Sequence, residues 1–282
     1  MTKAQLPTYF LSHGGGPWPW LRRPTGDPYI QLEQSLIGVR RELGEAPRAV
    51  LMVSGHWEAD GFMLSSAARP TMLYDYGGFP EHTYRIQYNA PGDPELAEQV
   101  RDMLDHGGVR TGLDPIRGYD HGTFTLMYPM YPEAEMPVVQ LSIDARYDPA
   151  EHIRVGELLA PLRDEGVLII GSGFSFHDTR SIRNGAGAAD SAAFDEWLMK
   201  TLVTSSPEQR REGLLHWETA PSARAAHPQE DHLIPLMVAV GAAGTDAGAR
   251  VYYERDFMGA ITTSSYRFGP AVVPQEREAA AS

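Results

Sequence analysis

The chain has 282 residues, 42% of them apolar, so it can bury the core of one large domain or two small ones. Its 24 basic and 37 acidic side chains give a net charge of −13, which argues against nucleic acid or an anionic membrane as a partner. Because there is no cysteine, disulfides, thiolate zinc sites and a cysteine nucleophile are excluded, and any metal must be held by histidine or a carboxylate.

The first predicted elements are two strands that each deliver a histidine. A strand at residues 9–12 runs into His13 and three glycines, and a helix at 28–43 leads to a second strand at 49–53. This second strand stops at Ser54-Gly55 and is followed by His56. Its five consecutive apolar residues are typical of a strand covered on both faces. Strand, helix and strand in this order predict a βαβ unit.

Further strands and helices alternate along the rest of the chain. Strands are predicted at 62–65, 83–88, 137–143 and 167–170, edge-type strands at 250–254 and 264–268, and helices at 94–105, 149–162, 191–203 and 207–217. No repeat or long linker is visible. We therefore predict an α/β fold in a single domain at residues 1–274, followed by a frayed tail at 275–282.

Three polar segments interrupt these elements. The sequence YDYGGFP at residues 74–80, called the aromatic loop below, either turns the chain or borders an aromatic ligand. His121 lies in a DHG turn, where a histidine is more often a turn residue than a catalyst, and Asp120 is placed to orient its ring. Asp231 is predicted to cap a helix that has His232 in its first turn.

Several histidines follow predicted strand ends, where open α/β sheets place their ligands. One buried histidine is more often a core residue with a single hydrogen bond, but repetition weakens that interpretation. The candidate ligands are His13, His56, His177 and His232, whereas four others are predicted to be solvated: His82, His106, His152 and His216. Neutral imidazoles favour Fe(II), Zn(II), Mn(II) or Cu(II) over Mg or Ca, and a site with three ligands leaves positions open for catalysis.

The N-terminal residues contain no apolar signal segment, and no stretch approaches the roughly 18 unbroken apolar residues of a membrane span. The sequence therefore predicts a soluble protein that stays in the cytoplasm and has no membrane partner.

Seven motifs occur in order over residues 12–236: SHGGG, SGHW, YDYGGFP, NAPGDPELA, GYDHGTF, GSGFSFHD and HPQEDHLIPL. Together they resemble the class III extradiol ring-cleavage dioxygenases, most closely the 4,5-DOPA extradiol dioxygenase type. The resemblance implies a central mixed β-sheet flanked by helices, with a metal site at the C-terminal ends of the strands. It also implies that a catechol ring is opened with O2, with Fe(II) as the working metal, while zinc is plausible as the bound metal.

The same resemblance assigns roles to individual residues. His13, His56 and His232 match the metal ligands, and His177 matches a metal-facing acid–base residue that in zinc-loaded members counts as a fourth ligand. His121 matches a histidine that contacts substrate and oxygen. Apart from the resemblance, the aromatic residues of the loop indicate Tyr76 and Phe79 as substrate contacts. In the better-known protocatechuate-type members the third ligand is a carboxylate, for which Glu230 is the rival here.

Three other functions compete with ring opening. An α/β-hydrolase would use the HGGG segment as its oxyanion hole, but the chain has no G-x-S-x-G nucleophile motif. A zinc-dependent hydrolase would use the same histidines. A non-catalytic binding module would have lost its metal. Neither the identity of the catechol nor the oligomeric state can be deduced from the sequence.

Overall fold

Eight strands form one sheet in the computed structural model, which describes residues 5–272. The strands are β1 (Thr8–Ser12), β2 (Ala49–Ala59), β3 (Phe62–Ser65), β4 (Thr111–Asp114), β5 (Val138–Asp144), β6 (Val167–Gly173), β7 (Gly248–Phe257) and β8 (Ile261–Phe268). Their order across the sheet is β4-β3-β5-β2-β6-β1-β8-β7. The predicted boundary at residue 274 and the predicted tail at 275–282 lie outside the described residues.

The centre of the sheet is parallel and its flanks are mixed. β5, β2, β6 and β1 run parallel, β8 pairs antiparallel with β1, and β7 pairs antiparallel with β8. On the other side β3 is antiparallel to β5 and parallel to β4. The predicted mixed sheet is confirmed. The prediction that residues 264–268 form an edge strand is wrong, because β8 lies between β1 and β7.

Helices cover both faces of this sheet. They are α1 (Ile30–Glu42), α2 (Pro94–His106), α3 (His121–Met130), α4 (Pro149–Leu159), α5 (Thr179–Asn184), α6 (Ala188–Met199), α7 (Pro207–Leu215), α8 (Ala223–Ala226) and α9 (Ile234–Ala243). The side chains of β2 alternate between two cores. Val50 and Met52 pack in the core that contains apolar residues of α1 and α3, whereas Leu51 and Val53 pack in the core that contains residues of α4 and α9. This explains the continuous apolar run of the strand.

Two local predictions differ from the structure. Residues 83–88 were predicted as a strand, but the chain forms a 3-10 helix at Glu81–Arg85. Thr83 donates hydrogen bonds from its main chain and hydroxyl to Pro80 O, so local turn bonds replace strand pairing. The strand β2 does not end at Gly55 but continues to Ala59, with an irregular register between Ser54 and Glu58. His56 therefore lies within this irregularity rather than beyond the strand.

None of the described helices is long and apolar enough to cross a membrane.

Candidate metal centre

The histidines predicted as ligands come from distant parts of the chain and meet at one place. His13 follows β1, His56 lies in the irregular part of β2, and His232 precedes α9. Their ring centroids are 4.9 Å apart for His13 and His56, 5.1 Å for His13 and His232, and 4.6 Å for His56 and His232. β1 and β2 run parallel on either side of β6, so their carboxyl ends lie at the same edge of the sheet and bring two of the histidines together.

Glycines allow the third histidine to reach the same place. A Cβ atom on Gly173 would lie 2.1 Å from His232 O, and one on Gly55 would lie 2.7 Å from Asp231 O. Both distances are far below ordinary contact, so only glycine lets the main chain of residues 231–232 lie against β2 and β6. Phe174 N then donates a hydrogen bond of 3.0 Å to His232 O. The glycines within β2 and at the end of β6 thus position His232.

The main chain of His13 is fixed, while its ring has no partner. His13 N donates to Gly173 O at 3.1 Å, and His13 O accepts from Trp18 Nε1 at 2.8 Å and from Thr125 Oγ1 at 3.0 Å. Within residues 5–272, neither ring nitrogen of His13 has a hydrogen-bond partner, although the residue is only 1% exposed. Buried polar atoms are nearly always paired, so this ring is placed for a ligand outside the protein.

Two carboxylates set the orientation of the neighbouring rings. Asp231 Oδ2 lies 2.7 Å from His232 Nδ1, and Asp75 Oδ2 lies 3.3 Å from His56 Nδ1. Burial alone would raise the pKa of Asp75, but hydrogen bonds and charges from His121 and His56 outweigh it and lower that pKa, so this carboxylate is ionised and only accepts. His56 Nδ1 therefore carries the proton of its ring, which leaves the lone pair on Nε2. Burial raises the pKa of Asp231 to about 7, and in its ionised form this carboxylate orients the His232 ring in the same way.

The Nε2 atoms of the two rings face each other, since His56 Nε2 lies 3.1 Å from His232 Nε2. Two nitrogen ligands at 2.0–2.1 Å from one tetrahedral ion are about 3.3–3.4 Å apart, so the observed separation fits a shared cation. Burial, followed by the charges of neighbouring histidines, lowers the pKa of His13 and His232, and burial with His121 lowers that of His56. All three rings are therefore neutral near pH 7, which is the form that binds metals.

Two more predicted histidines complete the group, which we call the histidine pocket: His13, His56, His121, His177 and His232. The His177 ring stacks on His232 with centroids 3.3 Å apart, and burial lowers its pKa to about 4. The His121 ring lies 4.0 Å from the His56 ring. Potential ligand atoms within 4.8 Å of one another form two sets: His13, His56 and His121, and His177, Asp231 and His232.

Several predictions about the surrounding carboxylates are wrong. Asp231 does not cap α9, whose first residue follows Leu233, because its carboxylate contacts His232 instead. Asp120 does not orient the His121 ring. It caps α3 by accepting from Thr123 N, and it also accepts from Ser54 Oγ, both at 3.0 Å. Glu230 pairs with Arg224 at 2.7 Å and so has a partner away from the pocket.

Asp75 performs the role predicted for Asp120. Its Oδ1 atom accepts from the main-chain N of His121 at 3.0 Å and lies 2.9 Å from His121 Nδ1. The sequence marks Asp75 as an acid in the aromatic loop, but 46 residues separate it from His121, so no local spacing indicates the contact. The prediction that His152 is solvated is also wrong, since it is buried and its Nε2 accepts from Asp144 N. His82, His106 and His216 are exposed, as predicted.

Aromatic side chains form one wall of the pocket. Tyr76 lies with its ring 5.8 Å from that of His121 and 5.4 Å from that of Phe79. The Phe79 ring lies directly over Gly16, where a Cβ atom would be 2.4 Å from Phe79 Cζ. The glycines after His13 therefore bring the aromatic loop close to the histidine pocket. Trp18 is buried and stacks on a tyrosine, so it is part of the core rather than of this wall.

Comparisons with known proteins agree with this geometry. The family model of the catalytic LigB subunit of aromatic ring-opening dioxygenase matches residues 8–269. A 4,5-DOPA dioxygenase extradiol from Beta vulgaris is 37% identical over 265 residues, which cover 93% of this chain and 96% of that protein. The dioxygenase tasH of Hapsidospora irregularis is 36% identical, with 93% and 85% covered.

A solved structure has the same fold. The crystal structure of an uncharacterised protein from Escherichia coli K12 superposes with a TM-score of 0.76 at 27% identity, covering 93% of this chain and 99% of that one. Membership of the matched family implies a catalytic metal, for which the histidine and aspartate groups above are suitable ligands. The chain belongs to the LigB family and is an aromatic ring-opening dioxygenase of the class III extradiol type.

Proposed function

We propose that this enzyme opens a catechol ring with O2 at a divalent metal held by His13, His56 and His232. The observation that carries the proposal is the 3.1 Å approach of two Nε2 atoms whose Nδ1 atoms both face carboxylates. A separation of this size suits two nitrogen ligands of one ion, and without an ion the two rings share it as a hydrogen bond. The unpartnered ring of His13 supplies a third nitrogen at the same place.

The proposed working metal is Fe(II), and Zn(II) fits the same donors. When bound, a ferrous ion supplies redox chemistry and open positions for the diol and O2. Three histidines are neutral ligands, so they leave the full positive charge of the ion in the pocket. This charge favours binding of the catechol as an anion, and it makes loss of a catechol proton easier.

His177 and His121 are proposed to handle protons and substrate. With a pKa of about 4, His177 is neutral near pH 7 and can accept a proton from a catechol hydroxyl, then return it to the opened product. His177 is also a possible additional ligand, because it belongs to the second set of donors. His121 has its Nδ1 atom held by Asp75, so its Nε2 atom is available to hydrogen-bond substrate or oxygen.

The proposed substrate is a catechol bound against Tyr76 and Phe79. The two rings form an apolar wall next to His121, as a flat aromatic substrate requires. Relatives bear the name 4,5-DOPA dioxygenase extradiol, which makes DOPA the first catechol to test. O2 is the second substrate. The cytoplasmic location stays a prediction.

The test is anaerobic reconstitution with Fe(II), followed by oxygen uptake over a panel of catechols that includes DOPA. We expect oxygen to be consumed in equal amount to the catechol, with appearance of the strong visible absorbance of a ring-opened product. An iron-loaded enzyme that binds metal at one ion per chain but consumes no oxygen with any catechol would contradict the proposal. Hydrolysis of esters or amides by the zinc form would then support the zinc hydrolase.

A further inference from the structure

The carboxylate of Asp75 contacts two histidines that have different proposed roles. Its Oδ1 atom accepts from the main-chain N of His121 and lies 2.9 Å from His121 Nδ1, while Oδ2 lies 3.3 Å from His56 Nδ1. Only 17% of its side-chain surface is exposed, so water competes little for these contacts. One carboxylate thus holds a proposed metal ligand with one oxygen and a proposed substrate-contacting residue with the other.

Asp75 also belongs to the loop that carries the proposed substrate-binding rings. Tyr76 follows it directly, and the Tyr76 hydroxyl donates a hydrogen bond of 2.6 Å to Thr83 O, which fixes the ring beside His121. Phe79, four residues after Asp75, lies over the glycine loop that follows His13. The position of the aromatic loop and the orientation of the His56 ring therefore depend on the same side chain.

We propose that Asp75 is a positioning residue that couples the aromatic loop to the metal centre, so that metal and catechol each strengthen the binding of the other. The proposal rests on the proposed function for its metal ligands and its substrate wall. Metal binding fixes the His56 ring, and this ring fixes Asp75 and the loop that carries Tyr76 and Phe79. Because such coupling is reciprocal, a catechol that binds against the loop must raise metal affinity by the same factor.

The substitution Asp75→Asn tests the coupling with almost no change of shape. An asparagine offers one acceptor oxygen and one NH2 donor, whereas both Nδ1–H groups require an acceptor. One of the two histidines then loses its partner or moves its proton to Nε2, which removes the lone pair that faces the pocket. Partners of this kind typically change metal affinity by about 10- to 100-fold, so we expect a loss in that range for zinc.

The measurements use zinc, which is redox-inert, and 4-nitrocatechol, whose absorbance reports its binding and ionisation. In the wild-type protein we expect zinc to tighten 4-nitrocatechol binding both by direct coordination and through the loop. In zinc-saturated Asp75→Asn only the direct part remains, so we expect a smaller enhancement. The matched control is Tyr74→Phe in the same loop, which removes a 2.7 Å hydrogen bond to Ile86 O. This hydrogen bond involves no residue of the histidine pocket, so the zinc affinity of the control should stay within about twofold of the wild-type value.

Hydrogen exchange of the wild-type protein provides a second, independent measurement. We expect zinc to slow exchange of the amides of residues 74–79, whether or not Asp75→Asn folds. Equal zinc affinities and equal 4-nitrocatechol enhancement in wild type and Asp75→Asn would overturn the coupling, as would a loop unaffected by zinc. Ring opening by the iron form of the wild-type protein would still stand in that case, so failure of the coupling is distinguishable from failure of the proposed function.

Discussion

Two buried polar regions of this molecule begin at adjacent residues and differ in how well their hydrogen bonds are satisfied. Ser12 leads into a group of buried side chains between β1, β8 and α6, which we call the hydroxyl seam: Ser12, Ser175, Asp195, Thr263 and Ser264. His13 leads into the histidine pocket. Both regions are polar and buried, so burial alone does not distinguish them.

Every hydroxyl of the seam has a partner within the protein. Thr263 Oγ1 lies 3.2 Å from Ser12 Oγ and 3.2 Å from Ser175 Oγ, and Ser264 Oγ donates to Asp195. Asp195 in turn pairs with Arg250 at 3.1 Å. The seam needs nothing from outside the chain, and satisfied networks of this kind stabilise a unique packing of the core.

The histidine pocket is left incomplete by the protein itself. Among residues 5–272, both ring nitrogens of His13 and the Oδ1 atom of Asp231 are buried without a hydrogen-bond partner. Another unpartnered atom, the Tyr266 hydroxyl, lies beside Ser264 and Asp195 of the seam, but it stands alone rather than in a cluster of imidazoles. Clustered polar atoms without partners cost folding free energy, and a bound cation would recover it. The comparison therefore assigns function to the pocket and stability to the seam.

The largest effect is expected for His13→Ala, which removes one side of the proposed metal site. Zinc affinity should fall by more than about 100-fold, which is the largest usual effect of losing a residue that only orients a metal ligand. Ring opening should fall to background. Wild-type protein at a thousandfold excess of zinc over Kd should gain about 4 kcal/mol of stability, which His13→Ala should lack. Metal analysis and thermal unfolding with and without zinc measure both effects, and His56→Ala should behave alike. Full metal occupancy in both variants would show that His13 and His56 do not bind the metal.

The next effect, for His177→Ala, separates chemistry from metal binding within the pocket. We expect one metal per chain to remain while kcat for ring opening falls by about 10²- to 10⁴-fold, the usual contribution of an acid–base residue. Oxygen uptake at saturating catechol and metal content of the same sample provide the measurement. His216→Ala is the control, since that side chain is 63% exposed and pairs with Glu212 on α7. Unchanged turnover in His177→Ala would move the base elsewhere, with His121 as the first candidate.

The sequence predicts the central fold and the meeting of three histidines for one physical reason. Apolar runs at residues 49–53 and 167–170 identify buried parallel strands, and the ends of parallel strands meet at one edge of a sheet. His13 and His56 follow from that rule. His232 does not follow a strand end. Its place in the first turn of a predicted helix makes it a candidate, and the resemblance to the family motif gives it the role of third ligand. Its approach depends on Gly55 and Gly173, which are visible in the sequence only as turn residues.

The carboxylate partners could not be predicted, because side-chain hydrogen bonds between distant segments leave no local pattern. Asp120 is adjacent to His121, but as the first-turn cap of α3 its carboxylate points to Thr123 N and away from the ring. Asp231 matches the pattern of a helix cap because it directly precedes a predicted helix, yet the helix begins three residues later. The position of β8 was missed because strand order is set by long-range pairing with β1, which the alternation within residues 264–268 does not report.

A change in the seam should give the opposite result to one in the pocket. Thr263→Val keeps the shape of the side chain but removes the hydroxyl that meets Ser12 and Ser175. We expect a loss of about 1–3 kcal/mol in the free energy of unfolding, with zinc affinity and kcat unchanged. Urea unfolding and zinc titration of the same preparation measure the two quantities. A fall in zinc affinity with no fall in stability would reverse the roles given to the two regions.

The smallest effect is expected for Tyr76→Phe, at the border of the pocket. The ring stays and keeps its edge contacts with His121 and Phe79, but the hydroxyl that donates to Thr83 O is lost. A neutral hydrogen bond of this kind is worth about 1 kcal/mol, so the KM for the catechol should rise by up to about fivefold while kcat and metal content stay constant. Tyr76→Ala, which also removes the ring, should raise KM further, because the apolar wall is then lost. If instead kcat fell and KM did not change, Tyr76 would act on the reacting atoms, as the histidines do. The aromatic loop would then be part of the catalytic group and not only of the substrate wall.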